Sequence, residues 1–280
     1  MTKIAWVTDS TCGLDQTFAK KNDIFIIPLH VIVNGVSYRE DIDLSKEAFY
    51  EKLKVHGEGA KTSQPAFGDF VSLYEQLQKD YDMVIAIHAS SKLTGTYQSS
   101  VAASDMYDIP VHVVDSKIGD FALGQMIKKG IKLADQGLAV DEIVRKLQSY
   151  PSNAQMYLMP QSFEQMRRSG RVSAAQSLFA SLLKLHLILG FEDGKVVVKD
   201  KVRIKKRAKL QMFHLLEEAM ETYRLKEICI SHAGVIEQAN QWKTEITEKY
   251  SELKVHVQTL VPVAGVHTGH GTMCISWLRD

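Results

Sequence analysis

Short apolar runs rich in β-branched residues recur through the first half of this chain, at Ile4 to Val7, Ile24 to Val33, Met83 to His88 and Val111 to Val114. Between several of them the apolar residues switch to helical spacing. Phe67, Phe70, Val71, Tyr74 and Leu77 fall three and four residues apart, a stripe on one helical face, and Pro65 stands just upstream where a helix can begin. Strand runs alternating with amphipathic helices predict a mostly parallel sheet covered by helices. Asn34-Gly35 departs from that scheme and predicts a hairpin arm joining Val31-Ile32-Val33 to Val36-Ser37-Tyr38.

Helical patterns at Phe121 to Gln136 and Val140 to Tyr150 lead into Pro151-Ser152-Asn153, whose turn chemistry marks a boundary. Beyond it, Leu185 to Phe191 and Lys195 to Val202 flank Glu192-Asp193-Gly194 as an antiparallel hairpin. A long helix from about Ala208 to Tyr223 follows, then a strand Glu227 to Ser231, a helix Ile236 to Tyr250, and strands Lys254 to Val261 and Thr272 to Trp277. The expected architecture is therefore two-domain α/β: a parallel-sheet α/β domain over residues 1–153 and an α+β domain over residues 154–280.

At 280 residues and 45% hydrophobic the chain can bury a substantial core. Its 34 basic and 33 acidic side chains leave a formal charge of +1, so nothing global points to nucleic acid or an anionic membrane. Cys12, Cys229 and Cys274 are odd in number and have no C-x-x-C spacing, which fits a reducing compartment. With no long apolar run and no basic leader before Ile4, the expectation is a soluble, cytoplasmic protein.

Hydroxyl groups collect in three turns: Thr8-Asp9-Ser10-Thr11, Thr62-Ser63, and Ser90-Ser91-Lys92-Leu93-Thr94-Gly95-Thr96. All three are predicted beside helix N-termini, at the edge where a parallel sheet gathers unpaired N–H groups that favour an anion. Each alone also reads as an ordinary N-cap. Gly265 to Gly271 packs three glycines around His267 and His270 between predicted strands, with no helix to space the histidines and no Cys or acidic cluster for a metal. No G-x-S-x-G elbow, P-loop or G-x-G-x-x-G is present. Two basic stretches remain, Arg167 to Ser173 and the run Lys199, Lys201, Arg203, Lys205, Lys206, Arg207, Lys209. A run of this kind is either a solvated face or a docking surface.

Thr8-Asp9-Ser10, Thr62-Ser63-Gln64-Pro65, Ser91 to Ser99, Ser169-Gly170-Arg171 and His267-Thr268-Gly269, in this order and spacing, resemble the DegV family over nearly the whole chain. The resemblance implies two α/β domains with a long-chain fatty acid buried between them, which some members present to a fatty acid kinase that phosphorylates the carboxylate. It makes Thr62 and Thr94 the hydroxyls on the ligand carboxylate, with Ser63 and Thr268 beside them and His267 as a donor or water-bridging partner. Gly95 allows close approach, Arg171 orders the domain junction, and Arg203 and Lys206 dock the kinase. No catalytic residue, metal or cofactor is implied. The family more often has Ser where Thr94 stands and Pro where His270 stands, so Thr94 adds a methyl group near the head group and the role of His270 is open.

Each buried methylene contributes about 0.8 kcal/mol, so a sixteen-carbon tail gains on the order of 12 kcal/mol before immobilisation costs. Candidate tunnel walls are the apolar residues of Phe121 to Ile127, Phe163, Met166 and Leu178 to Leu189, each of which also reads as core packing. Two rival functions are weighed. A lipid esterase would pair Ser91 or Thr94 with His267, but no acid to orient His267 is identifiable. A nucleic-acid-binding regulator would use the Lys199 to Lys209 run, against the neutral overall balance.

Overall fold

The computed structural model describes residues 2–161, 165–166, 168, 170–171 and 185–279. Arg167, Ser169, Val172 and Ser173 of the first basic stretch, and Phe163 and residues 178–184 of the candidate tunnel wall, lie outside the described residues. Up to residue 153 the elements are β1 (Ile4–Asp9), α1 (Gln16–Lys21), β2 (Ile24–Ile27), β3 (His30–Val33), β4 (Val36–Arg39), α2 (Lys46–His56), β5 (Lys61–Ser63), α3 (Phe67–Leu77), β6 (Met83–His88), α4 (Thr96–Ser104), β7 (Val111–Asp115), α5 (Asp120–Asp135) and α6 (Val140–Ser149). From Ala154 on they are β8 (Ala154–Met159), β9 (His186–Glu192), β10 (Lys195–Val202), α7 (Lys205–Tyr223), β11 (Glu227–His232), α8 (Ile236–Lys249), β12 (Lys254–Thr259), α9 (Pro262–Thr268) and β13 (Met273–Leu278).

The expected parallel sheet is present, with strand order β2-β1-β6-β7. Its central strands are buried on both faces, which explains their unbroken apolar runs. Ala5, Val7, Val84 and Ala86 meet Phe70, Tyr74 and Leu77 of α3 on one face. Trp6, Ile85 and Ile87 meet Leu123, Ile127, Ile143 and Leu147 of α5 and α6 on the other. The predicted α3 stripe thus supplies three fully buried side chains, each stabilising by roughly 1.5–3 kcal/mol; Phe67, in the first turn, is 45% exposed instead.

The run Ile24 to Val33 is two strands rather than one. Pro28 lacks the N–H a continuing ladder needs, and β3 leaves to form a separate antiparallel sheet of order β4-β3-β5. The Asn34-Gly35 hairpin forms as expected, with both residues at positive φ (50° and 77°). Two expectations are corrected. Thr62 and Ser63 lie in β5, paired with Val31 and His30, instead of in a turn. The glycine-rich segment holding His267 is helical over Pro262–Thr268, where a loop between strands was expected, because Pro262 sets the first turn and Gly265 lets the helix approach Tyr50 of α2 without a Cβ between them.

Residues from Ala154 on build a six-stranded mixed sheet of order β10-β9-β8-β13-β11-β12, antiparallel except for the β11–β12 pair. Period-two alternation divides its side chains. Met159, Ile188, Ile228, Ile230, Ile275 and Trp277 pack under α7 and α8. Met156, Leu158, Leu187, Leu189, Cys274 and Leu278 face the other way and share one core with Val31, Val33, Phe49, Tyr50, Ile118 and Met126 from before residue 153. Among the described residues no helix is long and apolar enough to cross a membrane.

Candidate functional site

Within that shared core lies a cavity of about 610 Å³, in the range of about 300–1,000 Å³ typical of small-molecule sites. Its apolar wall comes from both halves of the chain: Leu29 and Ile118 from the first, Met156, Leu158, Met166, Leu189 and Phe191 from the second. Of the tunnel residues expected from sequence, Met166 and Leu189 line it, whereas the apolar residues of α5 do not. Leu123 and Ile127 instead fill the core against the parallel sheet, and Ala122 and Met126 the shared core.

Thr62, Ser63, Thr94, Gly95, His267 and Thr268, the six residues singled out in the sequence, all line this one cavity. Parallel-sheet topology delivers Thr94 and Gly95, since the loop after β6 ends at the uncapped N-terminus of α4. Pairing with β3 delivers Thr62 and Ser63, and α9 delivers His267 and Thr268. Thr62 Oγ1 lies 3.1 Å from His267 Nε2. Thr94 Oγ1 lies 2.8 Å from Thr96 Oγ1. Gly95 leaves room for the Gln64 side-chain amide, which reaches over it to donate to Ser99 Oγ at 3.0 Å. Ser63 and Thr268 have already committed their protons, to Gln64 O (3.1 Å) and Ala264 O (2.9 Å). They can accept from a ligand but not donate to it, whereas the Thr94–Thr96 bond can run in either direction, which leaves Thr94 able to donate when Thr96 donates to it.

Burial, reinforced by the Arg171 guanidinium, pushes His267 down to about 4, so its ring is neutral at pH 7. Its Nδ1 is enclosed without a hydrogen-bond partner among the described residues. A buried N–H without an acceptor is the costlier orphan, which puts the single proton on Nε2. Nε2–H then donates to Thr62 Oγ1 and leaves the Thr62 proton for a ligand. Arg171 also lines the cavity and donates through Nε to Leu93 O at 3.3 Å, bringing positive charge to the polar wall.

Neither esterase nucleophile meets His267: Ser91 Oγ donates to Asp115 Oδ2 at 2.5 Å, and Thr94 pairs with Thr96. His270 does not line the cavity; its ring packs where a Cβ on Gly234, at φ 76°, would lie. Two buried acids beside the site carry no periodic signal in the sequence. Glu40 accepts from the Ser10 hydroxyl and from Val263 N–H of α9 (2.6 Å). Asp120 accepts from the Ser231 hydroxyl and from Gln258 Nε2 (3.0 Å), and lines the cavity. Gln64 and Gln98 also line it. Gln64 was legible only as part of the Thr62 to Pro65 stretch.

A parallel sheet covered by helices on both faces and a mixed sheet that shares a core with it, with a cavity lined by apolar side chains, hydroxyls and amides, define an α/β protein with a cavity of small-molecule size. The chain belongs to the DegV family, whose profile, described as uncharacterised protein, DegV family, matches residues 3–280. The chain is 36% identical to Protein DegV of Bacillus subtilis over 276 residues, 98% of each chain. It is similar to the crystal structure of DegV, a fatty acid binding protein from Bacillus subtilis, at 34% identity and a TM-score of 0.90, covering 100% of both chains. A DegV family protein from Thermus thermophilus described by its fatty acid binding is 25% identical, with a TM-score of 0.85 over 99% of this chain and 100% of that one.

Proposed function

We propose that this protein is a non-catalytic carrier that encloses one long-chain fatty acid. The tail occupies the apolar cavity; Thr62 and Thr94 donate to the carboxylate, His267 orients Thr62, and Arg171 offsets the charge. The observation that carries this reading is that Thr62, Thr94 and a neutral His267 line the same cavity of about 610 Å³ as Leu29, Ile118, Met156, Leu158, Leu189 and Phe191. One carboxylate needs donors, and an acyl chain needs apolar volume, with burial of the tail dominating affinity. Similarity to fatty acid binding DegV proteins supports the same ligand class. The three cysteines, all free and buried, suit a cytoplasmic carrier.

The carrier then presents its fatty acid to a kinase that phosphorylates the carboxylate, docking through Arg203 and Lys206. Both are exposed, and neither makes an ion pair among the described residues, whereas Lys199 pairs with Glu192 (2.5 Å) and Lys209 with Glu245 (2.6 Å). Lys205, Lys206 and Arg207 open α7, which has no acidic residue in its first turn and no side-chain cap. Cations at a helix N-terminus oppose the macrodipole, so helix stability does not account for them, and an acidic partner surface does.

Protein purified from a bacterial host, extracted with organic solvent and analysed by lipid mass spectrometry is expected to yield fatty acid at close to one per chain. Folded protein that holds none after exposure to free fatty acid would overturn the reading.

A further inference from the structure

The Thr8-Asp9-Ser10-Thr11 turn is left without a ligand-facing role by the carrier reading, yet Asp9 anchors a long buried hydrogen-bonded chain. Asp9 ends β1, His88 ends β6, Ser100 lies in α4 and Tyr74 in α3, and all four are 0% exposed. Tyr74 OH is 2.5 Å from Ser100 Oγ, Ser100 Oγ is 2.9 Å from His88 Nε2, and His88 Nδ1 is 3.1 Å from Asp9 Oδ2. One set of directions satisfies every group: Tyr74 donates to Ser100, Ser100 to Nε2, and Nδ1–H to Asp9. Asp9 also accepts from Ala89 N (2.9 Å), Thr11 N (3.0 Å) and the Thr11 hydroxyl. Burial alone would push its carboxyl up, but these hydrogen bonds and the His88 ring outweigh burial and hold it below the usual range.

The order Ser-His-Asp is that of a hydrolase triad, but Ser100 does not line the cavity and has no solvent access, so no ester can reach it. What the chain does touch is the head-group loop. Ala89 and Thr11, both held by Asp9, line the cavity. Ser100 belongs to the helix whose first residue, Thr96, bonds Thr94. On the far side of β6, Asp115 at the end of β7 accepts from Ser91 N (3.2 Å) and Ser91 Oγ (2.5 Å). The loop from Ala89 to Gly95 therefore hangs between carboxylates on the two flanking strands, with α4 pinned behind it.

We propose that Asp9, His88 and Ser100 are positioning residues for head-group recognition: the chain from Tyr74 to Asp9 holds the Ala89 to Thr94 loop and the first turn of α4 in the one geometry that lets Thr94 donate to a carboxylate. The role rests on the carrier reading. Charge-assisted hydrogen bonds are sensitive to donor placement, whereas an acyl tail in an apolar cavity is not, so the strut acts on the acid group alone.

The test compares affinity for a saturated long-chain fatty acid with that for the alcohol of equal length, measured by calorimetry on delipidated parent, Asp9→Asn and Ser100→Ala proteins. The parent is expected to prefer the acid, and each variant to lose at least about tenfold of that preference while keeping its affinity for the alcohol. If both variants keep the parent's preference, or if acid and alcohol affinities fall together, the positioning role is wrong; a purely structural role would lower the melting temperature and leave the preference intact. Should Asp9→Asn fail to fold, Ser100→Ala, which removes one hydroxyl, decides alone. A parent without preference for the acid overturns the carboxylate reading and the positioning role with it, whereas a parental preference retained in the variants overturns only the latter.

Discussion

Replacing Thr62 or Thr94 by Val removes one hydroxyl at nearly constant volume, and the two sites should respond differently. If each hydroxyl donates to a buried carboxylate, either change costs about 1.5–3 kcal/mol of binding free energy, a ten- to hundredfold loss of affinity. The free protein also pays. Thr62→Val takes from His267 its one partner among the described residues, where Nδ1 already has none, so both ring nitrogens lose their described partners at a cost of roughly 1–3 kcal/mol in stability. Thr94→Val deprives the buried Thr96 hydroxyl of its partner and removes the acceptor of Thr96 N–H (3.4 Å), so its stability cost falls on Thr96 and leaves His267 untouched. Neither change touches the apolar wall, where each methylene contributes about 0.8 kcal/mol. Titration calorimetry with saturated acids of increasing length should give parallel lines of binding free energy against carbon number, displaced downward in both variants. His267→Ala, which acts through Thr62, should displace the line less. Parent affinity in both Thr variants, a changed slope, or ester hydrolysis by the parent that His267→Ala abolishes would refute the assignment.

Burial pushes Glu40 up to about 8, and a carboxyl harder to ionise in the native state stabilises the fold below its ordinary range and loses that contribution as pH rises toward 8. Urea unfolding across pH 4.5 to 8 should therefore show the parent losing stability relative to Glu40→Gln, which cannot titrate and keeps an acceptor for Val263 N–H, with a slope approaching about 1.4 kcal/mol per pH unit; parallel curves would place the Glu40 carboxyl in its ordinary range. Reversing Arg203 and Lys206 to Glu should leave fatty acid affinity unchanged and the melting temperature no lower, because acids suit the N-terminus of α7, while turnover of the bound fatty acid by a cognate kinase falls. Equal turnover at low salt would make the run a solvated face.

Features governed by neighbours in sequence were legible before any coordinates. The Asn34-Gly35 hairpin follows from two residues that tolerate positive φ, the α3 stripe from three- and four-residue spacing, and the parallel sheet from strands apolar on both faces. Of the hydroxyl-rich segments, Thr8 to Thr11 and Ser90 to Thr96 could be named together because the topology of a parallel sheet sends its strand ends to one edge. Tertiary structure alone decided the rest. Thr62 became a strand residue through pairing with Val31, and Pro262–Thr268 became a helix although Gly265 is a poor helix former, because that glycine lets the helix pack closely against Tyr50. The apolar residues of α5 went to the core and not to the cavity, a choice that helical periodicity cannot make, since both surfaces want the same side chains. Thr62 and His267 stand 205 residues apart, and Asp9 and His88 stand 79 apart. No local pattern encodes such pairs, because a hydrogen bond of about 3 Å is set by where two backbones cross, and that crossing is the sum of all the packing between them.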